Sequence, residues 1–146
     1  MYQALLVLHV LGATVWTGGH LVLTLGFLPG AVRTRDVTAL QAFEARFERI
    51  GIPALIVQVL TGLELARRYL PPSEWLSFDG LLARHVGVKL VLLAVTLGLA
   101  LHARLRLVPK LDGSNVRALA VHVVLITLVS VLFVVVGIGF RTGRVV

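Results

Sequence analysis

The chain is 146 residues long, 58% hydrophobic and only 14% charged, where a soluble globular domain carries roughly 25% charged residues; with a mean hydropathy of +0.94, it excludes water as the main solvent. A net charge of +7 would suggest nucleic acid in a soluble protein, but the arginines stand between apolar runs as membrane anchors and topology signals, so no nucleic-acid partner is expected. The lack of cysteine excludes disulfides, thiolate metal sites and cysteine nucleophiles, so any metal or cofactor must be held by nitrogen or oxygen.

The first apolar run, Ala4 to about Leu28, is too long for the apolar region of a signal peptide and lacks a basic start and a small-residue cleavage site. It predicts a membrane helix over about residues 3–29. Between Arg33 and Arg49, Leu40, Phe43, Phe47 and Ile50 recur at helical spacing among charged residues, a pattern suited to the interface. Thr38 and Gln41 resemble a capping box. Pro53 predicts a kink where this segment runs into the second span, so that one bent helix covers about 38–70 until Pro71 and Pro72 end it. The third helix, about 80–108, is bracketed by Arg84 and Arg104, about 30 Å apart at the helical rise, the thickness of the hydrocarbon. Asp112-Gly113 marks the turn before the fourth, about 115–140.

These elements make one all-α integral membrane domain over 1–146, a four-transmembrane-helix bundle with an amphipathic interfacial segment before helix two, partnered by the lipid bilayer. Eight basic residues (Arg33, Arg35, Arg46, Arg49, Arg104, Arg106, Lys110 and Arg117) flank one side. Five (Arg67, Arg68, Arg84, Arg141 and Arg144) flank the other. That bias places loops 30–50 and 104–117 in the cytoplasm and both termini outward, across a bacterial-type inner membrane.

Polar residues within the spans carry the functional signal, because a charged group at the centre of a membrane helix costs about 2.5 to 3.5 kcal/mol and must face the bundle. By helical rise, His9 and Lys89 lie about 7 Å below the outer surface, with Glu64 and His85 nearer to it. His20, His102 and His122 form an inner layer. His9, Trp16 and His20 share one face of the first helix, as His85, Lys89 and Thr96 share one face of the third. Gly12, Gly18 and Gly19 lie among the first group, where small residues admit a neighbouring helix or a flat ring. A Glu64–Lys89 ion pair is one expectation, with no catalytic role attached. Neutral imidazoles on facing helices suit axial ligation of haem iron or coordination of copper. Spacing does not choose between them: the glycines beside His9 favour a macrocycle, three histidines at one depth a metal ion.

Leu8 to Gly19, with His9, Trp16, Gly18 and Gly19, resembles the first helix of the CopD-like copper-resistance membrane proteins and of the HemJ-type protoporphyrinogen oxidases. Phe47-Glu48-Arg49-Ile50 with Pro53-Ala54 is similar to the second HemJ-type helix, and His85-Val86-Gly87-Val88-Lys89-Leu90 followed by Leu101-His102 to the third. The likeness covers about three quarters of the chain. The HemJ likeness implies a b-type haem served by His9 and Lys89, and the CopD likeness implies copper handling at the membrane.

The leading expectation is therefore a haem b protein, with His9, Gly12, Trp16, Glu64, His85 and Lys89 around the cofactor, acting in electron transfer or oxidation of a porphyrin or quinol-like substrate. The first alternative is a copper-binding or copper-transporting protein using His9, His20, His85, His102 and His122. The second is a structural subunit of a larger membrane complex. Small membrane proteins often associate, which leaves a homo-oligomer open.

Overall fold

The structure, a computed structural model, describes residues 1–142. Arg144 and the side chain of Arg141, both counted above, lie outside what it describes. Four long helices account for most of the chain: α1 (Tyr2–Thr34), α2 (Thr38–Tyr69), α3 (Gly80–Lys110) and α4 (Val116–Thr142). No strand occurs among the described residues. All four are long and apolar enough to cross a membrane, and Val7, Leu25, Leu60, Leu101 and Leu128 are exposed on the outside of the bundle. Such a surface would be a liability in water and is the normal one against acyl chains.

α1 runs five residues further than the expected 29, through Pro29 and Gly30. A π turn, Leu23–Phe27, makes this passage possible. In it the N–H of Leu28 reaches the Leu23 carbonyl five residues back, and the widened turn relieves the clash that the proline ring would make in a regular helix. α3 repeats the device: in the π turn Ala103–Leu107 the Val108 N–H bonds the Ala103 carbonyl, and Pro109 follows at once. In both helices, then, the residue just before the proline carries the long hydrogen bond.

α1 ends on Arg35, which takes a left-handed conformation (φ 59°) and donates its N–H to the Ala31 carbonyl at 2.9 Å. The start of α2 differs from the expected capping box. Asp36 accepts the Thr38 N–H at 2.9 Å, while Gln41 sends its amide across to the Leu111 carbonyl at 3.0 Å. Gln41 is thus spent on a tertiary contact and cannot reach back to its own helix end. Pro53 is carried inside a single helix of 32 residues.

α1 is the central helix, packed along both α2 and α4, and α3 packs on α4. α2 and α3 scarcely approach one another along their lengths. Gly12 brings the α1 and α2 backbones close together: a β-carbon there would lie 2.8 Å from the Ala54 carbonyl oxygen and 2.9 Å from Gln58 Cβ. At the end holding the 34–38 and 111–115 connections, Leu23, Leu28, Leu40, Leu111, Val116 and Leu119 form the buried core. At the opposite end the 70–79 connection folds back so that the Phe78 ring and the Trp75 carbonyl occupy the space beside Gly87. Trp75 Nε1–H is held by the Leu70 carbonyl at 3.0 Å.

Candidate metal-binding histidines

Four of the five histidines share one local chemistry. His20, His85 and His122 each donate Nδ1–H to the carbonyl one turn earlier, Trp16, Leu81 and Ala118, at 2.9, 2.8 and 3.0 Å. His9 instead donates across the α1–α2 interface, to the Gln58 carbonyl at 2.9 Å and the Thr61 hydroxyl oxygen at 3.2 Å. A carbonyl can only accept, so each of these rings carries its proton on Nδ1 and its lone pair on Nε2. Metal-ligating histidines are commonly oriented in this way.

His102 and His122 are in direct contact. The His122 proton is committed to Ala118, so His122 Nε2 must accept, and His102 donates from Nδ1 at 2.8 Å. The rings stack with centroids 4.8 Å apart and planes 23° from parallel. α3 and α4 pack side by side, and this packing brings the two residues together. His102 is the last residue before the π turn of α3.

His20, expected at a similar depth, does not join them. Its ring is 7% exposed, lies 4.5 Å from Trp16 and meets the edge of Phe47 at 5.4 Å. Among the described residues no three His, Asp or Glu side chains converge as a metal cage. The inner histidines therefore form a pair and a separate enclosed ring.

The outer group is likewise distributed. A β-carbon on Gly62 would fall 2.8 Å from His9 Cε1, so this glycine makes room for the imidazole. Lys89 is half-buried and lies within electrostatic range of His9. His85, one turn away from Lys89 on α3, is buried. The Glu64 carboxylate is held by Arg68 at 3.0 Å on its own helix.

The glycine-lined face of α1 that would favour a flat macrocycle is filled by α2. Gly12 lies against Ala54 and Gln58, and the Phe47 ring covers Gly19. Trp16 packs on His20 and Phe47. These residues do not fit a haem on that face, because its volume is already occupied by side chains and backbone.

An ion bridge that the sequence reading did not connect ties α2 to α3. Arg104 Nη1 lies 2.7 Å from Glu48 and 4.0 Å from Glu44. The available signal was the i, i+4 spacing of the two glutamates at the membrane end where Arg104 sits.

Residues 41–140 match the family described as copper resistance protein D. The match begins beyond α1, whose motif carried the closest resemblance in sequence. No curated protein and no solved structure matches the chain.

Proposed function

The chain belongs to the copper resistance protein D family, and from that premise we propose that it is a multi-pass membrane protein that binds copper as cargo, with His102 and His122 as its entry or exit ligands. The carrying observation is the 2.8 Å contact between these two imidazoles from separate helices. With no cysteine and a single methionine, Met1, copper must be met chiefly by nitrogen, and imidazole suits it.

The ligand count favours cargo over a resident cofactor. Permanent metal sites close around the ion with a full set of oriented ligands. This pair supplies two, at a partly exposed position, which suits an ion that must also leave. To seat a metal between the two nitrogens, their separation must widen to about 4 Å, twice a usual metal–nitrogen distance. His102 would then move its proton from Nδ1 to Nε2. The excess of arginine on this face marks it as cytoplasmic, in an inner-membrane setting.

The test is copper binding by the purified protein in detergent. Histidine-to-alanine changes at 102 or 122 are each expected to weaken copper binding about tenfold or more, the scale of disturbing a metal ligand set. The double variant should be little worse than either single one. Unchanged copper affinity in both single variants would remove His102 and His122 from the reading.

A further inference from the structure

A cavity of about 190 Å³ opens between the end of α1 and the start of α4, lined by Val32, Arg35, Gly113, Ser114, Val116 and Arg117. Two arginines, both exposed, are thus among the residues that line it. Arg68 and Arg104 are ion-paired, but neither Arg35 nor Arg117 has a carboxylate partner among the described residues. Two like charges on one cavity repel unless an anion or solvent lies between them. The carboxylate of the same connection, Asp112, spends Oδ1 on the Ser114 N–H and hydroxyl and on the Asn115 N–H.

The cavity walls are fixed. Gly113 lies against the backbone of Arg35, where a β-carbon would fall 2.6 Å from the Arg35 carbonyl oxygen. Gln41 ties the same connection to α2 through Leu111. Val116 is 1% exposed and belongs to the buried core. Val32, half-buried and packed against that core, gives the cavity an apolar wall near the end of a membrane span. The lining thus pairs a cationic half with an apolar half at the end of the spans, on the face with most of the basic residues.

We propose that this cavity holds the phosphodiester headgroup of an anionic phospholipid from the adjacent leaflet. Arg35 and Arg117 pair with the phosphate, and the Val32 side faces the glycerol and upper acyl chain. Basic cavities between helix ends are a recurrent form of lipid recognition, and planar guanidinium groups match phosphate oxygens. This assignment is independent of the copper reading.

The test uses the full chain in mild detergent, offered phosphatidylglycerol and phosphatidylcholine in equal amounts, with retained lipid counted by native mass spectrometry. Wild type should retain phosphatidylglycerol several-fold over phosphatidylcholine. The double variant Arg35→Gln, Arg117→Gln should lose that preference and retain the two lipids about equally, because it removes both cationic partners of the phosphate. Arg35→Lys with Arg117→Lys should keep most of it, and Arg67→Gln, at the opposite face, should keep all. Matching thermal melts would show that the variants fold. Equal retention of the two lipids by wild type, or an undiminished preference in the double glutamine variant, would overturn the proposal. So would full displacement of the lipid by millimolar inorganic phosphate, which would make the cavity a free-anion site.

Discussion

Phe47 lies directly over Gly19, so closely that a β-carbon added to that glycine would fall 1.9 Å from its Cε2. The ring is also wedged by Trp16, His20 and Phe43, with Gly51 beneath it on its own helix. It has nowhere to retreat. Gly19→Ala should therefore destabilise the bundle by about 1 to 3 kcal/mol, as overpacking does, with a lower thermal midpoint in detergent. Gly18→Ala, where a β-carbon meets nothing within 4 Å, is the matched control and should leave the midpoint nearly unchanged. Equal midpoints for the two variants would mean that the α1–α2 contact is looser than described.

The histidine pair makes a spectroscopic prediction. In the apo protein His102 carries its proton on Nδ1 and His122 likewise. An ion seated between the rings takes the Nδ1 lone pair of His102, leaving the proton on Nε2, while His122 keeps its tautomer. Nitrogen-15 imidazole spectra, with diamagnetic cuprous or silver ion as the probe, should show the exchange at His102 alone. An unchanged His102 tautomer in a loaded sample would place the ion elsewhere.

Arg104 is the charged link between two helices that otherwise scarcely meet. Arg104→Gln removes the bridge and leaves Glu44 and Glu48 as like charges one turn apart. A loss of about 1 kcal/mol is expected, the upper range for partly exposed pairs. Glu44→Gln added to Arg104→Gln should recover part of it by removing the repulsion. A double-mutant cycle of Arg104→Gln with Glu48→Gln on thermal unfolding reads the bridge itself, and a zero coupling energy would deny that link any energetic role.

The Asp112 carboxyl lies below the ordinary aspartate range, because the Ser114 hydroxyl and N–H and the Asn115 N–H all donate to it. A folded-state value below the unfolded one contributes stability that is present above the unfolded value, about 3.9, and lost as pH falls through the folded one. Hydrogen exchange over 111–118, corrected for intrinsic rates, should therefore accelerate on acidification below that range. In Asp112→Asn, which keeps an acceptor oxygen without the charge, the profile should be flatter. Identical profiles would show that the carboxylate contributes nothing to this connection.

The four spans were legible because a run of some twenty apolar residues has few other stable forms. So was the continuity of α2 through Pro53, since the periodicity resumes beyond it. The end of α1 lies beyond the expected 29 because the π turn carries the helix through Pro29 and Gly30, and no local residue announces that turn. Depth along a helix is arithmetic, and it placed His102 and His122 in one inner layer. Their contact also needed the order in which helices neighbour one another, which lies in packing and not in spacing. The filling of the glycine face by Phe47 was hidden for the same reason: Phe47 read as one of several apolar positions on an amphipathic stretch.

The two π turns also shift phase. Each carries one surplus residue relative to a regular helix, so the α-helical stretch Leu28–Thr34 of α1 and the 3-10 turn Val108–Lys110 that ends α3 are each rotated by about 100° from the register of the helix before them. A single helical wheel drawn through either helix misassigns every side chain on one side of the turn. In α3 this offset falls between His102 and Val108, so a one-residue deletion within Ala103–Leu107 would swing Val108–Lys110, and with it the connection that Gln41 holds at Leu111, while leaving the imidazole in place.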